Sequence, residues 1–283
     1  MLNPEPGFRP APASRRPRVL IVGLDGVRWD IAAEDSVAPA LQRLAADGAF
    51  HTMTMEVPTI SAPGWASLLT GTTHAEHGLV DNSCVGGRTW NCPDVLSQCF
   101  YQDQSTRTYA AAGWPVLTDP NGLGPIIHPR VEQQKAGLHR IVSRDGETYG
   151  YRTIDAELTD FTLAALKGGT FDVGFTYCCD VDDAGHVHGL TGPEYREALG
   201  RVDAHTQRLA AALTQRHLQF QEDWLLIVTT DHGHIDAGGH GGDSPKETQS
   251  WAITWSPSGH TPEWEEHLQP ESLAGRILAH RDS

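Results

Sequence analysis

The chain has 283 residues, 39% of them apolar, and a formal net charge of −15. That length and composition suit a soluble globular protein that buries a core without staples. The acidic balance argues against non-specific nucleic-acid binding and against docking on an anionic membrane, but not against a small anionic substrate, since bound cations reverse a local field. Residues 1–17 are rich in Pro, Ala and Arg and have no apolar h-region. They read as a disordered arm, not a secretory signal. Residues 18–283 read as one catalytic domain. Short apolar runs at 19–22, 108–112, 171–177, 225–229 and 251–255 predict strands covered on both faces. Helical patterns alternate with them. Residues 36–46 align Val37, Leu41 and Leu44 on one stripe, and 155–166 open with an acidic first turn. Residues 193–217 begin with Pro193, and 270–280 turn Leu273, Ile277 and Leu278 inward. The alternation predicts an α/β fold with a mostly parallel central sheet and helices on both faces.

The five cysteines, Cys84, Cys92, Cys99, Cys178 and Cys179, form no C-x-x-C pair. Buried thiols in a reducing compartment are expected, and with no run long enough to span a membrane the protein is expected to be cytoplasmic.

Ligands of such sheets sit beyond the carboxyl ends of strands. Three predicted strand ends deliver carboxylates there: Asp25 in Leu24-Asp25-Gly26, Asp182 in Asp180-Val181-Asp182, and Asp231 in Thr230-Asp231-His232. One such aspartate often caps the following helix. Three, two of them with histidines close behind, point to metal. Asp182 and His186 are four apart and share a face of a helical turn. Asp231 and His232 leave their strand together, free to converge on one metal or diverge to two. His240 lies in Gly238-Gly239-His240-Gly241-Gly242, where glycines leave room around the imidazole. Asp25, Asp182, His186, Asp231, His232 and His240 make six ligands, enough for two ions that each keep an open position. Carboxylate and imidazole together suit zinc, with Mn²⁺ or another divalent ion as the substitute. His188, His234 and Asp236 are spare, and are expected to back the ligands or face solvent.

Ser61 precedes Pro63 and a helical run that ends at Gly71. It therefore falls at or just before a helix N-terminus, either as a plain cap or as an oxygen held where negative charge is stabilised.

Together these segments resemble the alkaline phosphatase superfamily, and within it the nucleotide pyrophosphatase/phosphodiesterase group and its relative phosphonoacetate hydrolase. The family's first metal-binding Asp matches Asp25, and its nucleophile segment matches Ser61, Pro63 and Thr70-Gly71. Its His-Gly followed by an aliphatic pair and Asn matches His77-Gly78-Leu79-Val80 with Asn82. Its remaining motifs match Asp182 to His186, Asp231 to Gly233, and Gly238 to Gly241. The resemblance implies an alkaline phosphatase-like core and two zinc ions. One would be held by Asp182, His186 and His240, the other by Asp25, Asp231 and His232 with Ser61 as reactive ligand. It further implies attack by Ser61 on phosphorus, a phosphoseryl intermediate, and Asn82 on a phosphoryl oxygen. The expected activity is phosphodiester or nucleotide pyrophosphate hydrolysis of a small phosphate-ester substrate. Phosphomonoester or phosphonate hydrolysis is the alternative, with sulfatase action or phospho-ligand binding without catalysis behind it.

Two departures stand out. The nucleophile is Ser where the phosphodiesterase group usually has Thr. Only seven residues separate His232 from His240, where the family usually inserts a cap. Substrate contacts are therefore expected from 83–152, where Trp90, Tyr101, Trp114 and Tyr149 are candidates to stack a ligand and Arg88, Lys135 and Arg140 to supply charge. The sequence is silent on oligomeric state.

Overall fold

The computed structural model describes residues 16–283. The expected arm, residues 1–17, falls almost entirely outside them. Eight strands form one sheet: β1 (Arg18–Leu24), β2 (Ala49–Thr54), β3 (Thr108–Ala112), β4 (His139–Ser143), β5 (Val173–Cys178), β6 (Trp224–Thr230), β7 (Gln249–Trp255) and β8 (His267–Leu268). Their order is β4-β3-β5-β1-β6-β7-β2-β8. The run from β4 to β6 is parallel throughout, while β7 is antiparallel to both β6 and β2. The expected α/β architecture with a mostly parallel sheet is therefore present.

Both faces are covered. Along β1, Leu20, Val22 and Leu24 join one core with Leu41, Leu158, Leu199 and Leu209, while Val19 and Ile21 join a second with Trp65, Leu96, Leu273 and Ile277. This alternation of sides is what the two-residue period of a strand requires. The helices Pro39–Asp47, Tyr151–Lys167 and Pro193–Phe220 thus cover one face, and Ser61–Thr70, Val95–Gln102 and Ser272–Arg281 the other. Among the described residues no helix is long and apolar enough to cross a membrane, and all five cysteines are free thiols.

Three helix starts differ from expectation, the terminal helix by only two residues, since it opens at Ser272 and not at Pro270. The helix expected from 36 begins at Pro39, because Ser36 has φ +67° and Pro39 takes the first turn. The helix expected to open at Asp155 begins at Tyr151, so Asp155 lies inside it and is fully buried. Its Oδ2 accepts hydrogen bonds from the backbone N–H groups of Cys179 (2.8 Å) and Asp180 (2.9 Å), at the start of the Asp180–His188 helix. The acidic residue caps a different helix from the one it sits in.

Gly23 in β1 faces Trp65 of the Ser61–Thr70 helix. A Cβ there would stand 2.6 Å from the indole Cη2. Gly23→Ala is expected to lower unfolding stability by about 1–3 kcal/mol through overpacking. A urea titration of wild type and variant checks this, and an unchanged midpoint would contradict it.

Candidate metal centre

The carboxyl ends of β5, β1 and β6 lie side by side. Asp25 and Asp231 each follow the last residue of their strand, and Asp182 occupies the first turn of the helix after β5. Neighbouring parallel strands that end at the same level bring residues distant in sequence to one point. Asp25, Asp231 and His232 are wholly buried there. Gly26, at φ +65°, turns the chain away after Asp25; a Cβ would stand 2.5 Å from His234 Nε2 and 2.7 Å from Asp182 Oδ1, so both space and backbone require glycine.

One oxygen of each strand-end carboxylate is spoken for. Asp25 Oδ2 accepts from Tyr177 Oη–H (2.6 Å) and Trp65 Nε1–H (2.8 Å), and Asp231 Oδ1 accepts from Gly26 N–H (3.3 Å). The other oxygens, Asp25 Oδ1 and Asp231 Oδ2, are buried with no hydrogen-bond donor. His232 Nε2 lies 3.5 Å from the first, 3.2 Å from the second and 3.2 Å from Ser61 Oγ. Its Nδ1, 3.0 Å from the Gly233 carbonyl, is placed to donate, which leaves Nε2 as a lone pair. Two orphaned carboxylate oxygens and an imidazole lone pair meeting in a dry site fit a divalent cation.

A second group adjoins the first. His240 Nδ1 donates to the Thr59 carbonyl at 2.7 Å, so its Nε2 is also a lone pair. That nitrogen lies 2.9 Å from His186 Nε2 and 3.6 Å from Asp182 Oδ1, while His186 Nε2 is 3.5 Å from Asp182 Oδ2. Two imidazole nitrogens and a carboxylate converge. Asp182 and His186 are on one helix four residues apart, as their spacing predicts. His186 forms the exposed wall of the group.

Ser61 is the first residue of its helix, and its hydroxyl caps nothing. It is therefore not the plain N-cap that its position also allowed. Asn82 Oδ1 accepts from the Ala62 N–H at 2.9 Å, which fixes the amide at the cavity that Asn82 lines. That cavity, about 360 Å³, is also lined by Trp114, Glu147 and Tyr151 from the segment expected to supply substrate contacts. Of the four aromatic candidates only Trp114 reaches it, while Trp90, Tyr101 and Tyr149 are exposed elsewhere. None of Arg88, Lys135 and Arg140 lines it. Arg88 instead binds the carbonyls of Ala75 and Glu76, and Lys135 pairs with Glu132.

The spare residues divide three ways. His188 is exposed. Asp236 pairs with Arg28 (2.5 Å) and Lys246 (2.5 Å), which ties down the loop between His232 and His240. His234 is wholly buried and does not face solvent. Its Nδ1 accepts from the Gly239 N–H (3.1 Å), so its Nε2–H donates to Asp182 Oδ1 at 2.8 Å. Sequence reasoning set His234 aside because six ligands sufficed. The available signal was its place two residues after His232 in the same short loop.

Burial sets the protonation of the group in the metal-free protein. It pushes the Asp25 carboxyl up to about 7, with the nearby Asp182 charge adding to it, and Asp182 up to about 6 against the attraction of His186. Asp231 is raised well above the usual range by burial and then by Asp25 and Asp182. Burial lowers His234 and His240 to about 4, the latter also through the neighbouring His234. Below pH ~6.5 these shifts oppose one another: the lowered histidines favour folding as pH rises and the raised carboxylates disfavour it. Above it the histidines are neutral in both states. Only the raised carboxylates then act, and folding loses stability as pH climbs through their folded values. Metal-free protein is therefore expected to lose thermal stability from pH 6.5 to 8, and a saturating divalent cation to remove the loss. Melting curves with and without zinc check this; a metal-free midpoint that rises over that interval would contradict it.

His234→Ala is expected to weaken metal binding by roughly 10–100-fold by freeing Asp182, and to lower the metal-free melting point by emptying a buried site and leaving the Gly239 N–H without its acceptor. Competition with a chromophoric chelator measures it, and wild-type affinity in the variant would show that His234 only fills space.

Residues 19–243 match the family model for type I phosphodiesterase/nucleotide pyrophosphatase. The catalytic subunit of mouse GPI ethanolamine phosphate transferase 3 is 34% identical over an alignment of 264 residues that covers 87% of this chain and 22% of that protein. Human ectonucleotide pyrophosphatase/phosphodiesterase family member 7 is 26% identical over 80% of this chain and 50% of its own length. The chain thus spans half or less of the length of these relatives. The solved structure of inactive murine ectonucleotide pyrophosphatase/phosphodiesterase 5 in complex with AMP superposes with a TM-score of 0.67 over 94% of this chain and 95% of that one, at 16% identity, and so shares the fold. By the extent of the family match, with every motif in order from Asp25 to Gly242, this chain belongs to the type I phosphodiesterase/nucleotide pyrophosphatase family of the alkaline phosphatase superfamily.

Proposed function

We propose that the chain hydrolyses phosphodiesters of small molecules with Ser61 as nucleophile and two divalent ions, zinc by preference, as cofactors. One observation carries the reading: Ser61 Oγ, the His232 Nε2 lone pair and the donor-less oxygens Asp25 Oδ1 and Asp231 Oδ2 meet at the N-terminus of the Ser61–Thr70 helix. Asp25, Asp231, His232 and Ser61 would hold one ion, and Asp182, His186 and His240 the other. Such ions lower the pKa of a bound hydroxyl or water and stabilise charge on the attacking and leaving oxygens.

The chain's own groups do the rest. Ser61 Oγ gives up its proton and forms a bond to phosphorus as the bond to the leaving alkoxide breaks, and the alkoxide takes up a proton in exchange. Water then attacks the phosphoseryl group and the bond to Ser61 breaks, restoring the hydroxyl. The Asn82 amide, oriented by Ala62, donates to a phosphoryl oxygen, and the helix N-terminus favours its negative charge. Tyr177 and Trp65 hold Asp25, and His234 holds Asp182, so the ligands keep their places through both steps.

The diester preference rests on charge. No lysine or arginine is among the described residues that line the cavity. A monoester dianion needs more positive charge than a diester monoanion. Zinc-loaded protein is expected to show kcat/KM for bis(4-nitrophenyl) phosphate at least tenfold above that for 4-nitrophenyl phosphate, about 1.4 kcal/mol of transition-state binding. Ser61→Ala is expected to bind metal and lose turnover of both. A monoester rate above the diester rate would move the chain to phosphatase action, and wild-type turnover by Ser61→Ala would remove Ser61 as nucleophile.

A further inference from the structure

Asn82 sits on a loop that is closed on itself. The Arg88 N–H donates to the His77 carbonyl at 2.6 Å, and the Arg88 guanidinium donates to the carbonyls of Ala75 and Glu76. Residues 78–87 thus leave and rejoin the chain at one place. Inside the loop, Asp81 Oδ1 accepts from the Ser83 N–H (2.8 Å), and the Cys84 carbonyl accepts from the Gly87 N–H (3.2 Å). Leu79 is wholly buried. A loop braced in this way shifts as a unit, so the place of Asn82 depends on what holds the closure.

His77 holds it. The ring is wholly buried, and its Nδ1 accepts from the Leu79 N–H (3.1 Å). Its Nε2–H therefore donates to Ser67 Oγ, at 3.1 Å. Burial, with His74 beside it, pushes His77 down to about 4, which keeps the ring neutral and in this tautomer at neutral pH. Ser67 belongs to the helix that opens with Ser61, and so does Ala62, whose N–H donates to Asn82 Oδ1. The loop meets this helix at two points, residues 62 and 67, about 7.5 Å apart along the axis. One bond would leave the loop to swivel about Ala62, whereas two fix both its distance and its orientation. We propose that His77 is a positioning residue for phosphoryl transfer: it locks the Asn82 loop to the helix that carries Ser61, so that amide and hydroxyl keep one separation through the reaction. A donor displaced by about 1 Å can cost on the order of 10²-fold in rate. Arg88, which seals the loop at His77, then serves the reaction from outside the cavity. The inference rests on the hydrolytic reading for the part that Asn82 plays, and adds what keeps that residue in place.

Ser67→Ala tests it, because it removes the acceptor of His77 without emptying the space that the ring fills. A residue that only supports the fold lowers activity by the same factor whatever stands at position 82, while one that acts through Asn82 does not. On zinc-loaded protein with bis(4-nitrophenyl) phosphate, Ser67→Ala is expected to lower kcat by about fivefold or more where Asn82 is intact, and by less than about twofold in Asn82→Ala. Zinc affinity is expected to be unchanged. Equal loss in the two backgrounds, or no loss in either, overturns the inference. Inorganic phosphate separates it from the hydrolytic reading. It is titrated calorimetrically into zinc-loaded Ser61→Ala, with Ser67 and Asn82 each intact or changed to Ala. Binding that Ser67→Ala weakens only where Asn82 is intact supports the positioning role even if bis(4-nitrophenyl) phosphate is not turned over, in which case only the hydrolytic reading falls. Binding that is absent, indifferent to Ser67→Ala, or weakened alike in both backgrounds overturns it.

Discussion

Three like-charged carboxylates held away from water at the ends of three adjacent strands are the constraint around which this protein is arranged. Asp25 and Asp231 are wholly buried and Asp182 nearly so. Left alone, such a cluster raises its own pKa values and takes up protons, because burial and mutual repulsion both act against the charged form. The surrounding groups are matched to a cation. The imidazoles of His232 and His240 give their protons to backbone carbonyls and turn lone pairs inward, and one oxygen on each strand-end carboxylate lacks a donor. A site of this kind is costly to keep empty and stable when filled.

The sheet supplies the level at which the ligands meet, and the two cores supply rigidity. The β5-β1-β6 trio is the middle of the sheet, so its strands are packed on both faces. The helices divide the chemistry between those faces. Ser61–Thr70 lies on one side of the sheet. On the other, the Tyr151–Lys167 helix fixes the start of the helix that carries Asp182 and His186 through the Asp155 carboxylate. The loop from His232 to His240 has no regular structure. It is tied by Arg28 and Lys246 to Asp236 and by Thr59 to His240.

Much of this was legible in the sequence because central parallel strands announce themselves. Residues 19–22 and 225–229 are continuous apolar runs because both faces are covered, and each ends in the aspartate that matters. Three strands leave too little apolar signal to be read: β2 and β4, whose exposed Thr52, Thr54 and Arg140 dilute it, and the edge strand β8, which is two residues long. The helix over 155–166 opens at Tyr151, four residues before Asp155, which the sequence hides because Tyr151 and Ile154 give weak start signals while Asp155 mimics a strong one. In the site, i to i+4 spacing placed Asp182 with His186. The link between Asp182 and His234 spans 52 positions and leaves no periodic trace. Nor could sequence separate Trp114, which reaches the cavity, from Trp90, which lies on the surface.

Trp65 ties these levels together. Its ring fills the core against Phe175 and Tyr177, its indole N–H reaches Asp25, and its backbone belongs to the helix that opens with Ser61. A protein interior is nearly incompressible. The spacing between nucleophile and ligand is therefore set by how well hydrocarbon packs several residues away, not by the polar groups that carry the chemistry. Drift in the far-side core would register in the reaction centre before it registered on the surface, so the packing around this indole bears on the chemistry as directly as the polar groups do.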